Sequence, residues 1–209
     1  MLCQRWVTEA EAHPEPEPPA EPVTTAVVAI ATGRLASKMT YPTRDEELEK
    51  VLGAYALKGA PVICLDNITS TLGGGPLDRC LTAAGDVDLR VLGRSEVPSL
   101  PWRSMVIATG NNVAMHRDTT RRALLCRMES PLERPEDRTG FAEPQLMVAV
   151  LRRRTELVRD ALTVLRAYIV AKPQQRLPYP TTWGSFERWA ELIPPAIVHA
   201  GGADVLEAR

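Results

Sequence analysis

The sequence has few cysteines, almost no net charge and no long apolar run. Its 209 residues include 4 cysteines, and their wide spacing fits neither a metal-binding motif nor a disulfide framework. The 25 basic and 26 acidic residues leave a formal charge of -1, which excludes a chain-wide attraction to nucleic acid. No apolar stretch approaches the roughly 18 residues of a membrane span, and the N-terminus lacks the order of a signal peptide. We therefore expect reduced thiols, a cytoplasmic location and no membrane partner.

The composition predicts one core with a tail. With 44% hydrophobic and 24% charged residues, the chain has enough apolar material for one sizeable core. The segment EAEAHPEPEPPAEP is rich in Pro and Glu, a composition that favours extended conformations without a core. We predict a disordered leader over residues 1–24, an α/β core over 25–130 and a helical region over 131–209. The last of these begins with a charged, Pro-bearing linker, Pro131–Pro144.

The apolar periodicity alternates between strand and helix before it becomes helical throughout. It predicts a helix that ends at Gly33, an amphipathic helix over 45–57, a short helix over 76–83 and a hairpin over 89–100. Apolar runs predict strands over 61–66 and 105–109, with a third strand possible over 123–128. Further on, a helix over 155–171 has Leu162, Tyr168 and Ile169 on its apolar face, and another opens after an N-cap at Ser185. This order predicts an α/β parallel sheet flanked by helices, with a C-terminal helical lid.

Polar side chains follow the two predicted strands directly. Asp66 and Asn67 come after the first strand, and Asn111 and Asn112 come after the second. Ligands of parallel α/β sheets bind beyond the carboxyl ends of the strands, so a carboxylate there can hold Mg²⁺ and an amide can orient a water. The simpler alternative is that Asp66 caps the next turn and the asparagines tolerate a left-handed bend.

Two arginines lie shortly after the second strand tip. Arg121 and Arg122 follow Asp118-Thr119-Thr120, and such a pair can project towards the phosphates of a neighbouring subunit, as arginine fingers do. The alternative is a solvated basic turn. Taken singly, the arginines do not decide between the two.

An ordered series of motifs resembles the C-terminal ATPase domain of phage and mobile-element primase–helicase proteins, which belongs to the AAA+ class of P-loop NTPases. The resemblance covers about residues 26 to 205. The segments that carry it are VICLDN, RVLGRSEVPSL, MVIATGNN, DTTRRALLCRM, LERPEDR, LTVLRAYIV and WGSFERWAELI.

The resemblance implies a role for each polar group. Asp66, with Asn67 in place of a second acid, falls on the Walker B position that holds magnesium, and Asn111 or Asn112 falls on sensor 1. Arg121 or Arg122 falls on the arginine finger. The 89–98 hairpin resembles a loop that points basic residues at DNA in ring helicases, which makes Arg90 and Arg94 the candidates for that contact. The intact family uses ATP and magnesium and assembles into oligomers.

One part of such a site is absent from the sequence. A P-loop NTPase needs a glycine-rich loop that ends in a lysine, whose backbone N–H groups wrap the phosphates. The residues before VVAIATGR are EAHPEPEPPAEPVTT, and the first glycine and lysine of the chain are Gly33 and Lys38. Prolines also lack the N–H donors that a cradle needs. Gly73-Gly74-Gly75 has no Lys-Ser or Lys-Thr pair behind it, and we interpret it as a flexible connection.

These patterns predict an N-terminally truncated AAA+ helicase-type domain that lacks ATPase activity, with no cofactor of its own. As a partial subunit it would act on DNA in an oligomer with intact relatives. The alternative is a non-enzymatic interaction or regulatory module that binds a replication partner through its helical C-terminal part. A third possibility is a chain begun at the wrong start, with its first 22 residues translated from an unrelated frame.

Overall fold

The computed structural model describes residues 20–91, 97–128, 139–172 and 183–207. Within these ranges the chain forms two compact units, residues 34–123 and residues 20–33 with 124–207. The predicted boundaries at residues 24 and 130 differ from this division. Residues 1–19 of the predicted leader and 131–138 of the predicted linker lie outside the described ranges, whereas residues 20–24 begin a helix.

The first unit is built on a parallel sheet of three strands. Its order is β1 (Lys38–Thr40), β2 (Val62–Asp66) and β5 (Met105–Ala108), and β2 lies in the middle. Strands β3 (Asp86–Asp88) and β4 (Ser99–Pro101) form a separate antiparallel pair. Helices α2 (Asp45–Lys58) and α3 (Gly75–Thr82) connect the parallel strands, as parallel pairing requires. The short helix α4 (Arg117–Thr120) follows β5. The α/β class with a parallel sheet and flanking helices is therefore confirmed.

Local sequence explains the helix that joins β1 to β2. Three acidic residues occupy the first turn of α2, and Gly59 ends it in the left-handed conformation with φ 62°, a backbone region where glycine has no steric penalty. Leu48 and Leu52 of α2 are fully buried in the core of the unit. Ile63 and Leu65 of β2 complete that contact from the sheet.

Helices build the second unit. It contains α1 (Ala20–Thr32), α5 (Leu146–Arg152), α6 (Arg154–Ala171), α7 (Glu187–Ala190) and α8 (Ile193–His199). The Arg154 guanidinium donates to the carbonyls of Ala29 and Ala31 at 3.3 Å, where the end of α1 concentrates unsatisfied carbonyls and partial negative charge. These contacts place α1 with the C-terminal helices and explain the shifted domain boundary.

Two sequence predictions about this unit are wrong. Residues 123–128 form no strand, because Leu124 instead packs with Trp183 and Ile197 in the core of the helical unit. Ser185 is not an N-cap, since that position belongs to Phe186. Pro194 and Pro195 lie in the first turn of α8, where their missing N–H groups cost nothing.

Candidate functional site at the ends of strands β2 and β5

Asp66 ends the central strand and meets Thr109 of the neighbouring strand. Leu65 pairs with Ala108 in register, so the next residues, Asp66 and Thr109, lie side by side at the carboxyl edge of the sheet. The Thr109 hydroxyl donates to Asp66 Oδ1 at 2.5 Å, and the Thr109 N–H donates to the Leu65 carbonyl. The tips of β2 and β5 therefore lie together at this contact.

A lysine holds the other oxygen of the same carboxylate. Lys38 pairs with Cys64 and Thr40 pairs with Asp66, so Lys38 and Asp66 share one face of the sheet. The Lys38 ammonium lies 3.2 Å from Asp66 Oδ2, with side-chain exposures of 33% and 21%. The Thr109 hydrogen bond, with help from Lys38 and against partial burial, lowers the pKa of the Asp66 carboxyl. Asp66 is therefore ionised and contacted by the protein itself on both oxygens.

The asparagines shape the backbone at this edge. Asn67 and Asn112 both have φ 51°, the left-handed region that asparagine tolerates better than most residues. The Asn67 N–H donates to the Thr109 hydroxyl at 3.3 Å. Asn111 and Asn112 are exposed in a turn after Gly110. The simpler sequence interpretation, a left-handed bend, thus holds for two of the three asparagines.

The turn at Gly110 brings two loops into close contact. A Cβ atom at Gly110 would lie 2.6 Å from the Ile68 carbonyl oxygen, which no side chain permits. The Ile68 N–H donates to the Thr109 carbonyl at 2.8 Å. The segments that follow β2 and β5 therefore continue side by side, and Leu72 forms a further parallel bridge with Met115.

The two candidate finger arginines have different surroundings. Arg122 donates to Asp78 Oδ1 at 3.1 Å, and the buried Thr119 donates its hydroxyl to the same oxygen at 2.9 Å. Arg122 keeps 23% of its side chain exposed, whereas Arg121 pairs with Asp118 and keeps 74% exposed. Arg122 thus ties the segment after β5 to α3, and Arg121 is the one whose side chain reaches solvent.

Two of the three consecutive glycines are closely packed, in a segment that we interpreted as a flexible connection. The Tyr41 hydroxyl donates to the Gly73 carbonyl at 2.6 Å and accepts from the Gly73 N–H at 3.1 Å. Gly73 has φ 129°, and a Cβ atom there would lie 2.3 Å from Thr119 Oγ1. Gly74 has φ 119° and lies against the Asp45 carboxylate. The Gly73 N–H is therefore engaged by Tyr41 and is not available to a phosphate.

The predicted hairpin exists as the β3–β4 pair, in which Asp86 pairs with Pro101 and Asp88 with Ser99. Arg90 is exposed just beyond β3. Arg94 lies outside the described residues. An antiparallel pair is therefore confirmed in this region, but its strands, residues 86–88 and 99–101, are shifted outward from the predicted 89–100 span. The DNA contact of Arg90 and Arg94 stays a prediction.

Asp66 is a poor metal site in this arrangement. Among the residues that the structure describes, no group of three or more His, Cys, Asp or Glu side chains is placed to hold a metal ion. The nearest partners of Asp66 are an ammonium and a hydroxyl, and Mg²⁺ in nucleotide sites relies on one or two carboxylates plus the phosphates. Asp66 as a sole metal ligand stays a prediction from the resemblance.

Sequence reasoning missed Lys38, Thr109 and Tyr41. Thr109 could have been identified from the sequence, because it immediately follows the second apolar run, as Asp66 ends the first. Lys38 starts a strand of three residues with a single apolar side chain, which gives no periodicity to detect. Tyr41 acts through its hydroxyl on a glycine distant in sequence, and nothing local signals that contact.

The chain matches no protein-family model, no curated protein and no solved structure. No helix within the described ranges is long and apolar enough to cross a membrane. The structure establishes a mixed α/β arrangement with a small parallel sheet flanked by helices.

Proposed function

We propose that this chain is an ATPase-deficient helicase-type domain of the AAA+ class, related to phage and mobile-element replication proteins. It would act as a subunit beside intact relatives and would present the hairpin of Arg90 and Arg94 to DNA. The proposal is supported by Asp66 at the tip of a central parallel strand, by the adjacent tip of β5, and by the hairpin inserted between those strands.

One observation is the main support for the proposed loss of nucleotide binding. The Asp66 carboxylate accepts from Thr109 at 2.5 Å and pairs with the Lys38 ammonium at 3.2 Å. A cation that replaced Lys38 would have to break an ion pair that the fold already supplies. No second acid compensates, because Asn67 follows Asp66.

The segment expected to hold phosphates supports the same conclusion. The resemblance places the helix α1, which begins at Ala20, after a phosphate loop. Its preceding residues in the sequence are rich in proline and glutamate, which offer few N–H donors and repel phosphate. These residues therefore do not supply the phosphate-binding half of a Mg–ATP site.

The outer edge of β5 is consistent with the loss of a strand that the resemblance implies. Strand β5 pairs with β2 on one side, and within the described residues no strand pairs with its other side. The resemblance implies a further, central strand that leads into the phosphate loop. The outer edge of β5 is where such a strand would add its hydrogen bonds.

Titration of a fluorescent ATP analogue with magnesium into the full chain tests the proposal. We expect no saturable binding up to about 1 mM, since each missing set of phosphate contacts removes several kcal/mol of affinity. A matched titration of Asp66→Asn separates specific from adventitious signal. A micromolar Kd that Asp66→Asn abolishes would refute the proposal.

A further inference from the structure

Strand β5 uses only every second residue to bond to β2. The Met105 N–H donates to the Pro61 carbonyl, and the Thr109 N–H donates to the Leu65 carbonyl. In a parallel ladder, the residues that bond to one neighbouring strand alternate with residues whose backbone groups point away from it. The odd-numbered residues from 105 to 109 therefore bond to β2, and Ile107 lies at the centre of this ladder.

The two residues between them point their backbone groups outward. Val106 and Ala108 direct their N–H and C=O groups away from β2, and within the described ranges no strand or side chain bonds to these groups. The Val106 side chain is buried in the core of the first unit, whereas Ala108 is partly exposed. Unpaired backbone groups beside a core are costly, and most such groups in proteins have a partner. The outer edge of β5 thus offers donors and acceptors to an added strand.

The two edges of the parallel sheet differ in their protection. Strand β1, at the other edge, has three residues and begins with Lys38, and both a short length and a lysine discourage the addition of a further strand. Residues 104–112, which are SMVIATGNN, contain no charged residue and no proline. The sequence of β5 therefore carries neither of the residue types that usually block an open edge.

A second β5 strand supplies the complementary groups. When two copies of β5 pair antiparallel about a twofold axis at Ile107, Val106 of each copy lies opposite Ala108 of the other. Residues opposed in this way exchange both of their N–H···O=C hydrogen bonds, so each outward group of both strands gains a partner. Twofold pairing of identical chains is also the commonest symmetry of protein oligomers.

The side chains suit the same register. Ile107 meets Ile107 of the second copy, and Met105 meets Thr109, and β-branched and apolar residues opposed across strands stabilise a sheet. All three side chains are partly exposed, so they retain surface for this contact. Arg103 lies opposite Asn111 in this register, so no like charges oppose each other.

We propose that two copies of this chain pair through the outer edges of β5, antiparallel and with Ile107 on the twofold axis. The three-stranded sheet of each copy then continues across the interface. Strands this short bury less than the roughly 1,200 Å² of a standard interface, so the dimer is weak, with a Kd of about 100 µM. The inference uses the hydrogen bonding of β5 and holds whether or not the chain binds nucleotide.

Sedimentation equilibrium of the full chain from about 5 to 500 µM tests this pairing. We expect a monomer–dimer equilibrium for the wild type. Ile107→Lys places two ammonium groups opposite each other and should weaken the dimer at least about tenfold, and Ile107→Glu should do the same with two carboxylates. A mixture of the two variants should dimerise again with a Kd within about threefold of the wild type, because opposite charges then meet on the axis.

A backbone variant and a control variant make the test specific to the edge. Ala108→Pro removes an outward N–H but none of the bonds to β2, and it should weaken the dimer without adding charge. Leu162→Asp is the matched control, because Leu162 is 59% exposed on α6 in the other unit, and it should leave the Kd unchanged. Circular dichroism checks that each variant is folded.

Several outcomes would overturn the proposal. One is a wild type that stays monomeric up to about 500 µM, and another is a dimer that neither Ile107→Lys nor Ala108→Pro weakens. Folded Lys and Glu variants that do not dimerise when mixed would place Ile107 away from the axis. A dimer that Leu162→Asp abolishes would assign self-association to α6. A monomeric wild type that binds a peptide of residues 103–111 would assign the edge to a strand of another protein.

Discussion

Replacement of Asp66 by asparagine tests whether this carboxylate stabilises the fold or is instead available to bind a ligand. Asparagine retains the shape and can still accept from Thr109, but it removes the ion pair with Lys38 at 3.2 Å and weakens the hydrogen bond at 2.5 Å. Both side chains are partly exposed, so solvent screens the pair. We expect Asp66→Asn to lower the free energy of unfolding of the first unit by about 1 kcal/mol.

A double-mutant cycle with Lys38→Met isolates the ion pair. The coupling energy should be about 0.5–1 kcal/mol, the upper part of the range for exposed pairs. Native-state hydrogen exchange along β2 and β5, followed by mass spectrometry across a urea series, measures the stability of this sheet separately from the helical unit.

The stability difference between the wild type and Asp66→Asn should depend on pH with a definite sign. The folded protein lowers the pKa of Asp66, so the carboxylate stabilises the fold fully above its unfolded pKa of about 3.9. This contribution disappears as the pH falls through the lower folded pKa. The gap between the wild type and Asp66→Asn should therefore be constant from pH 7 to about pH 5 and shrink below about pH 4.

The sign of the mutational effect can refute this reasoning. Carboxylates held in place for a ligand usually cost stability, and their replacement stabilises the protein. If Asp66→Asn raises the stability of the sheet or leaves it unchanged, Lys38 and Thr109 do not satisfy the carboxylate. The conclusion that the Lys38 ammonium takes the place of a bound cation beside Asp66 would then be wrong.

Two further predictions concern the segments around this edge. Gly73→Ala should destabilise the first unit by more than about 2 kcal/mol in urea unfolding, because the φ of Gly73 is positive and an added Cβ would meet Thr119. Gly75→Ala should be neutral or slightly stabilising, because nothing lies within 4 Å of the added Cβ. Equal effects of the two substitutions would contradict the packing described for Gly73. Arg122→Ala should lower the free energy of unfolding by about 1 kcal/mol, because it removes the ion pair with Asp78 of α3, whereas Arg121→Ala should change it by no more than about 0.5 kcal/mol. A larger effect of Arg121→Ala would show that Arg121, and not Arg122, is the arginine that stabilises the fold.

Much of the local structure could be predicted from the sequence. The helix α2 was predictable because its acidic first turn, its apolar spacing and its glycine stop all agree. Strand β2 was predictable because a short apolar run lies between a glycine and an acid. These signals lie within each segment and need no knowledge of the partners.

Pairing between distant segments was the part that sequence did not supply. Strand β1 has a single apolar residue, Met39, and exists because it hydrogen bonds along β2. Residues 123–128 look like a strand but find no strand partner within the described chain. The Lys38–Asp66 ion pair depends on the register of two parallel strands, which no local pattern determines.

The contact between α2 and the root of the hairpin restricts how that hairpin can move. A Cβ atom at Gly53 would lie 2.4 Å from the Arg90 carbonyl oxygen, and the neighbouring Leu89 is fully buried. Only a hydrogen atom fits between the helix and this backbone. Any larger residue at position 53 would therefore have to displace α2 or the backbone at residues 89–90, so the position of the hairpin root depends on this one glycine.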